Sequence, residues 1–467
     1  MSVRVFSILL CTITVHTLLG SIVVKAQDNA FPESKSSTTL ALVGGRVIDG
    51  FGGKPLENTV VLISENSIAA VGKISEIGIP KTAKIIDTNG MTVLPGLWDS
   101  HGHLFHIGEG TPTDFPNRYK DRSIELMAIV AEINLMAGIT SFRDTGGPLK
   151  PQLTLREEIK TGKRIGPRLF LAGPILRQGD RNKSINNDDY LIANTKEAKK
   201  MVTEVANQGA DQIKVYGFWD LDILSEVTST AHSLNLGVDA DVRHIEAYRT
   251  AIRAGVDRLH HVFTADSLSD YSEDDLRLLV RGEKPSGSGP SANILRGPYI
   301  IPTIEMRASY ARAFRFPEII DHPNFKRAYP PDIYKYFRDS LNNINSIPWG
   351  IGAEERVKVA KNKLKRFVAK GGREQLVAGC DSGSPLNFHS PLAREIQHLS
   401  EAGLTPMEAI QSATLRAAQM QGVSDKLGSI SVGKIADIIV VDGDPLTDIS
   451  LLRTNVAHVI KDGVIIR

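Results

Sequence analysis

The sequence predicts an α/β fold, a (β/α)8 barrel of the TIM type that carries a small β-sandwich built from both chain ends. Eight short apolar runs between residues 91 and 422 alternate with helical patterns, which is the repeat of such a barrel. Short runs of alternating β-branched residues flank this region on both sides. No glycine-rich phosphate loop follows any run, so the alternative, a doubly wound nucleotide-binding sheet, has less support.

The eight predicted barrel strands are short runs of mostly apolar residues. They are residues 93–98, 139–144, 168–173, 212–217, 236–242, 258–263, 299–304 and 375–381. Helical patterns such as SIELMAIVAEINLMAG and TKEAKKMVTEVANQG lie between them. Long irregular inserts occur near residues 104–120, 174–194 and 264–350. In a barrel, inserts of this kind build the mouth and select the substrate.

Two terminal segments have the strand patterns of a small antiparallel sheet. Residues 39–90 contain TLALVGGRVIDG, and residues 423–467 contain GKIADIIVVDGDPLTDI, with glycine and asparagine turns between the strands. Each segment is too small to fold alone. We therefore expect them to form one β-sandwich, with residues 91–422 forming the barrel.

The first 26 residues are typical of a secretory signal peptide. Arg4 precedes a long apolar stretch, and Val24-Lys25-Ala26 places small residues before a cleavage site at Gln27. The alternative is a membrane anchor, but polar residues within the stretch weaken it. We therefore expect an exported protein, periplasmic or extracellular, without a stable membrane span after cleavage. Residues 27–38 are polar and predict a flexible lead-in.

The charge balance and the cysteine count exclude several kinds of partner and crosslink. The chain has 55 basic and 53 acidic residues, and removal of residues 1–26 takes away only two basic ones. A neutral mature chain without basic blocks argues against nucleic acid or an anionic membrane as partner. Cys11 leaves with the signal, so Cys380 alone cannot form an intrachain disulfide. A homo-oligomer remains open.

Two histidines stand where the first predicted barrel strand ends. His101 and His103 are separated by Gly102, and the two-residue period of a strand points both imidazoles to the same side. Catalytic groups of barrels lie at the carboxyl ends of the strands. Two imidazoles at this spacing are a natural chelate for a metal ion. The alternative is a pair of ordinary polar loop histidines.

Three further strand ends carry polar side chains. Lys214 lies inside the apolar run QIKVYG, where it could form a salt bridge, reach the surface, or react with CO2 to give a carbamate that bridges two metal ions. The sixth run offers His260 and His261, of which alternation allows only one to face inward. The last run ends in Asp381, which could act as a metal ligand and general base or cap the next helix.

These residues, in this order, resemble the amidohydrolase superfamily. The likeness covers the predicted mature chain apart from its lead-in, and its branch includes imidazolonepropionase-like proteins and exported Xaa-Pro-type dipeptidases. The segments that carry it are PGLWDSHGH, GADQIKVYG, AIRAGVDRLHHVF, VAGCDSG and GSISVGKIADIIVVDGDPL. The resemblance implies that His261 is the sixth-strand metal ligand and that Lys214 is carboxylated.

One position departs from the family pattern. Family members carry a histidine ligand at the end of the fifth strand, and counting back without gaps from AGVD places that position on Asp241. Asp239 faces the same way, and His244 is the nearest histidine. Three interpretations stay open: Asp241 replaces the histidine as an oxygen ligand, the second metal site is lost, or the protein is a non-catalytic member.

The resemblance implies a metal-dependent hydrolase acting on the amide bond of a small substrate such as a dipeptide. His101, His103 and Asp381 would hold one divalent ion, with zinc expected. Asp241 and His261 would hold a second, with Lys214 bridging. Asp381 would also transfer the proton, in a role that general acid–base catalysis assigns to a carboxylate near the reacting atoms.

Tyr216 and Arg143 are further candidate site residues, and two alternative functions stay open. Tyr216 faces inward two residues after Lys214 and could bind the oxyanion of the transition state, or simply pack. Arg143, beside Asp144, could contact the substrate or form a structural pair under the mouth. The alternatives to an amide hydrolase are a lactonase or cyclic-amide hydrolase, and a non-catalytic exported binding protein.

Overall fold

The computed structural model describes most of the chain beyond the predicted lead-in. The described residues are 39–109, 118–179, 190–218, 220–243, 245–264, 271–282, 297–321, 326, 328–342 and 352–467. The predicted signal peptide (1–26) and lead-in (27–38) lie outside them, so both stay predictions. Among the described helices, none has both the length and the apolar character needed to cross a membrane.

Strands and helices are numbered separately in chain order. The strands are β1 Leu40–Val43, β2 Arg46–Val47, β3 Thr59–Ser64, β4 Ser67–Lys73, β5 Lys84–Asp87, β6 Met91–Pro95, β7 Leu97–Gly102, β8 Ile139–Asp144, β9 Arg168–Leu171, β10 Leu176–Gln178, β11 Tyr190–Ile192, β12 Gln212–Tyr216, β13 Gly237–Asp241, β14 Arg258–His260, β15 Tyr299–Ile301, β16 Ile438–Asp442, β17 Val456–Lys461 and β18 Val464–Ile465. The helices are α1 Ser123–Met136, α2 Leu149–Lys160, α3 Thr195–Asn207, α4 Leu221–Ser233, α5 Ile245–Arg253, α6 Glu273–Arg281, α7 Ile304–Arg315, α8 Pro331–Asn342, α9 Ala353–Ala369, α10 Leu392–Glu401, α11 Pro406–Ser412, α12 Leu415–Gln421 and α13 Leu451–Thr454.

Strands from both chain ends form two sheets that pack together. One sheet has the order β4-β3-β1-β5, and the other has the order β18-β17-β16-β6-β2. Apolar side chains of both sheets meet in one buried cluster, for example Leu42 and Val61 from the first with Val93 and Ile438 from the second. Strands β6 and β16 pair antiparallel although they are far apart in sequence, so the chain ends lie side by side.

Parallel strands alternating mostly with helices form most of the other described residues, as the predicted fold class requires. They fall into a sheet β7-β8-β9 and a sheet β11-β10-β12-β13-β14-β15. Residues 376–382 connect the two on one side through isolated parallel bridges, Ile300 with Leu376 and Gly102 with Ser382. On the other side, the Asp211 amide donates to the Leu171 carbonyl. Regular strand pairing is therefore interrupted at two places around the described barrel strands: between β15 and β7, and between β9 and β12. We call each interruption a seam.

The runs 258–263 and 299–304 end early, as strands β14 and β15, and the predicted irregular insert 174–194 contains β10 and β11. Two other predicted barrel strands differ more from the structure. The run 93–98 divides at Gly96: β6 belongs to the terminal sheets and β7 begins the barrel. A Cβ at Gly96 would overlap the Thr140 side chain, so glycine allows the chain to cross between the two layers. The run 375–381 forms no regular strand: some of its backbone groups bond to the backbone of neighbouring segments, and others bond to side chains. The Asn387 amide donates to the Cys380 carbonyl, for example.

A buried ion-pair network joins the barrel to the terminal sheets. Arg168, the first residue of β9, donates to Asp437 before β16 and to Asp462 after β17. Burial alone would lower the pKa of Arg168, but the attraction of both carboxylates raises it. The guanidinium is 3% exposed, so nothing in solvent can replace it as the partner of these two acids.

Loss of this guanidinium should destabilise the protein. We expect Arg168→Ala to lower the free energy of unfolding by about 3–5 kcal/mol, because it leaves the buried Asp437 without an ion-pair partner and Asp462 with Lys461 alone. Urea denaturation followed by circular dichroism measures this. Arg164→Ala removes a partly exposed pair with Glu158 and serves as the control. Its loss should stay below about 1 kcal/mol, and equal losses in the two variants would contradict the network's role.

Candidate metal centre

The predicted metal ligands converge at the carboxyl ends of the barrel strands. Two groups of three side chains have ligand atoms within 4.8 Å of one another: His101 with Asp241 and His261, and His101 with His103 and Asp381. These side chains follow or end β7, β13 and β14 or lie in residues 376–382, which are far apart in sequence. The fold therefore assembles the set that the strand-end positions predicted.

Lys214 joins the cluster through Asp241. Its Nζ lies 2.6 Å from Asp241 Oδ1, and the lysine side chain is fully buried. His261 Nε2 lies 3.4 Å from the same carboxylate oxygen. Burial alone would raise the pKa of Asp241, but the charge of Lys214 and then that of His261 hold it well below its ordinary value. Asp241 thus presents an ionised oxygen where the family histidine is missing.

Asp381 completes the second group. Its Oδ1 lies 3.2 Å from His103 Nε2 and 3.4 Å from His101 Nε2. Burial alone would lower the pKa of His103, but the contact with Asp381 raises it to about 9. Burial alone would raise the pKa of Asp381, and the hydrogen bond from His103 lowers it. His103 and Asp381 therefore share a proton at a place where a divalent cation could bind both side chains.

Unpartnered polar atoms test whether a metal ion fits. His101 Nε2 is buried and accepts no hydrogen bond, and Asp241 Oδ1 and Lys214 Nζ likewise lack a hydrogen bond of acceptable geometry. Buried polar atoms are rarely left unpaired in native proteins. Imidazole nitrogens and carboxylate oxygens are the donor set that zinc and related divalent ions accept. The residues present fit a divalent metal ion.

A buried hydrogen-bond chain fixes the tautomer of His101. Its Nδ1 lies 2.6 Å from His260 Nδ1, and His260 Nε2 lies 2.7 Å from Asp239 Oδ1. Because a carboxylate accepts, His260 carries its proton on Nε2, and its Nδ1 accepts from His101 Nδ1–H. His101 Nε2 then keeps its lone pair and faces the cluster. Metal-binding histidines are commonly oriented by such partners.

Burial and nearby charges keep the His101–His260–Asp239 hydrogen-bond chain in this protonation state. Burial, and then the charge of Lys214, holds the pKa of His101 well below its ordinary value. Burial and Lys214 also lower the pKa of His260 to about 3. Burial would raise the pKa of Asp239, but Arg143 and Arg258 hold it far below its ordinary value. Both imidazoles are therefore neutral and the carboxylate is charged.

The expectation that only one of His260 and His261 can face inward was wrong. Strand β14 ends at His260, and His261 has a backbone φ of 62°, in the left-handed region. Strand alternation therefore stops between them, and both rings reach His101. His261 Nδ1 is held 2.7 Å from Thr303 Oγ1, which leaves Nε2 for the cluster.

Arg143 has a structural role in place of contact with the substrate. Its side chain is fully buried and donates to Asp239, Gln421 Oε1 and the Ser100 carbonyl. The expected pairing with Asp144 does not form, because the Asp144 carboxylate accepts from the backbone amides that follow β7 and β8. Arg143 thus acts beneath the cluster, as the partner of Asp239.

Asp99 ties the two ligand-bearing segments together. Its carboxylate accepts from the His101 amide, from the Cys380 amide and thiol, and from the Ser382 hydroxyl. Burial raises its pKa to about 6 against the effect of these donors. A Cβ at Gly102 would overlap Phe142 and Ser382, which explains the glycine between the two histidines.

Tyr216 lies at the edge of the site, between two arginines. The Arg177 guanidinium is 4.1 Å from the centre of its ring, and that of Arg243 is 5.5 Å away. Arg243 Nε is buried and lacks a hydrogen-bond partner. Sequence reasoning did not single out Arg243, and it named Asp239 and His260 without assigning either of them a role. Arg243 follows Asp241 by two residues, so its place just beyond a strand end was the available signal.

Most of the chain matches a known protein family, which establishes the class of enzyme. The family model described as Amidohydrolase family matches residues 92–466. The chain belongs to the amidohydrolase family. It is a hydrolase that acts on carbon–nitrogen bonds, and members of this family generally depend on divalent metal. The matched span contains all six of the predicted metal ligands.

Several individual amidohydrolase-like proteins are similar to this chain. An imidazolonepropionase of Flavobacterium psychrophilum is 20% identical over 420 residues, which cover 84% of this chain and 86% of that protein. A Xaa-Pro dipeptidase with methionine bound in its active site has a TM-score of 0.69 at 25% identity, covering 92% and 99% of the two chains. Molinate hydrolase has a TM-score of 0.71 at 22% identity, covering 92% and 95%. These structural likenesses confirm the TIM-type barrel of the amidohydrolase fold.

The hydrogen-bond chain behind His101 predicts a defect in metal affinity. We expect His260→Gln to weaken metal binding by about 10- to 100-fold, the usual effect of removing a residue that orients a histidine ligand. Competition with a chromophoric chelator measures the affinity. His232→Gln removes a partly exposed histidine paired with Asp257 and should leave it unchanged. Equal affinity in His260→Gln and the wild type would refute the orienting role.

Proposed function

We propose that this amidohydrolase hydrolyses the amide bond of a small substrate such as a dipeptide, with zinc as its divalent metal. The observation that supports this most strongly is the convergence of the ligand atoms around His101 Nε2, which is buried and unpartnered. The residues that would hold the metal are His101, His103, Lys214, Asp241, His261 and Asp381. Bound metal would supply a nucleophilic hydroxide at neutral pH and polarise the substrate carbonyl.

Two side chains of the protein would transfer the proton and bind the substrate oxyanion. Asp381 is ionised and lies within 3.4 Å of His101 and His103, so it can accept a proton from the attacking water. It then returns that proton to the leaving nitrogen, which balances the hydrolysis. Tyr216 lies on the same strand as Lys214 and could donate its hydroxyl proton to the developing oxyanion.

Arg243 suggests that the substrate carries a carboxylate. Its guanidinium lies near Tyr216, and its Nε is buried without a partner. A guanidinium binds a carboxylate through two parallel hydrogen bonds. The terminal carboxylate of a dipeptide would satisfy this group while the amide bond lies over the metal ligands.

Carboxylation of Lys214 belongs to the same proposal. Without it, the Lys214 ammonium pairs with Asp241 at 2.6 Å. The ammonium first loses a proton, and the neutral amine then reacts with CO2, which forms an N–C bond and releases a second proton. A cation thereby becomes an anion beside Asp241. Two adjacent buried anions repel, so the carbamate should be stable only with divalent cations between them. Export and a homo-oligomeric state remain predictions from the sequence.

A substrate screen tests the proposed function. Zinc-loaded wild type should hydrolyse dipeptides with a free carboxylate faster than their amides, and lactones slowest. Asp381→Asn should lower kcat/KM by about 10²- to 10⁴-fold, the range of a lost general acid–base. His106→Gln, a nearby histidine paired with Glu109, should change it little. A metal-loaded wild type inert on every amide would overturn the proposal, and a preference for lactones would favour the lactonase alternative.

Chemical rescue tests the carbamate. We expect Lys214→Ala to lose metal and activity, and acetate or propionate to restore part of both by supplying the missing carboxylate. Lys363→Ala, which removes another buried lysine, outside the cluster, controls for burial of the side chain. Activity that short acids fail to restore would refute a carboxylated Lys214.

A further inference from the structure

A cavity lies between three helices and a loop, and none of the proposed metal ligands lines it. It has a volume of about 230 Å³ and is bounded by α7, α10, α13 and the loop 386–391. Each of the three helices contributes one arginine to its lining: Arg312, Arg394 and Arg453. The volume is several times the ~30 Å³ that one water molecule occupies in the liquid. The cavity can therefore hold a small molecule.

The arginines of this cavity have few acidic partners. Arg312 donates to Glu305, whereas Arg394 and Arg453 form no ion pair with any described residue. Burial, and then repulsion from Arg312 and Arg453, lowers the pKa of Arg394 against the attraction of Glu305. Arg453 also acts on Asp448, but that carboxylate is exposed and bound to Ser450. The cavity thus has an excess of positive charge.

Polar groups of the backbone and the loop add to this charge. Helix α10 begins beside the cavity after Pro391, and no side chain caps its first turn. The free N–H groups and the helix dipole at such an end attract anions. Ser390 also lines the cavity, as does Ser309, whose hydroxyl donates to the Met306 carbonyl. The donors therefore come from several independent elements.

We propose that this cavity binds a small anion with two or more negative charges, such as inorganic phosphate or a dicarboxylate. The anion would relieve the repulsion among the three guanidinium groups and accept their hydrogen bonds in pairs. A single negative charge would leave part of the positive excess uncompensated. An apolar ligand would leave the whole positive excess uncompensated.

The cavity wall is also the loop that positions Asp381. Asn387 lines the cavity, and its side-chain amide donates to the carbonyls of Cys380 and Asp381. Asp381, Leu386 and Ser390 have positive φ angles of 56°, 59° and 69°, so this loop holds a conformation that such residues rarely adopt. An anion bound here would contact the loop between the cavity and the metal centre.

Titration calorimetry with two probes tests the site. Inorganic phosphate and succinate, each titrated into metal-loaded protein at constant ionic strength, distinguish a phosphate from a carboxylate ligand. We expect at least one to bind the wild type, and the double variant R394Q/R453Q to bind it at least tenfold more weakly. The double variant R277Q/R281Q removes two arginines from α6 and should bind as the wild type does.

The outcomes separate this site from the metal centre and from general charge. Equal binding in R394Q/R453Q and the wild type would place the anion elsewhere and overturn the proposal, as would equal weakening in both double variants or no binding of either probe. If R394Q/R453Q fails to fold, hydrogen exchange of the wild type decides. The anion should then slow exchange in residues 386–394, and an unchanged rate there would overturn the proposal.

Discussion

The buried hydrogen-bond chain from His101 through His260 to Asp239 sets the protonation of His101 in the proposed metal centre. Its members are fully buried, so solvent can correct neither a wrong tautomer nor a missing partner. Arg143 and Arg258 keep Asp239 ionised, and the ionised carboxylate decides where each imidazole carries its proton. The free lone pair on His101 Nε2 follows from this order of donors and acceptors.

Residues 376–382, where regular strand pairing is interrupted, contribute Asp381 to the proposed metal centre. Regular strand pairing ends between β15 and β7, and Asp99 connects the segments there through side-chain hydrogen bonds. Backbone hydrogen bonds also join residues 376–382 to both neighbouring strands, but they do not form a regular ladder. Asp381 can then adopt a left-handed backbone conformation that turns its carboxylate toward the two histidines of the first strand. The seam is thus a structural requirement of the site.

Much of this centre could be predicted from the sequence, because catalytic groups of barrels lie at strand ends. His101, His103 and Asp381 follow apolar runs directly, and Lys214 stands out inside one. The role of Asp241 depended on a family pattern, and its oxygen lies beside His261 and Lys214 as the ligand interpretation requires. That geometry weakens the interpretation in which the second metal position is lost.

Other features escaped sequence reasoning for physical reasons. Alternation along a strand cannot foresee the left-handed turn that brings His261 to the site after His260. The partner of Arg143 is a residue nearly a hundred positions away, which local pattern does not reveal. The arginine cavity combines three helices that are distant in the chain. The domain boundaries at residues 91 and 422 stay predictions.

Metal content tests most directly whether these side chains form a metal centre. Elemental analysis of purified protein after dialysis should find about two divalent ions per chain, one for each group of ligands. Asp241→Ala should retain about one ion, and His101→Asn, which affects both groups, should retain almost none. A metal-free wild type, or a metal content that neither substitution changes, would contradict the assignment of the centre.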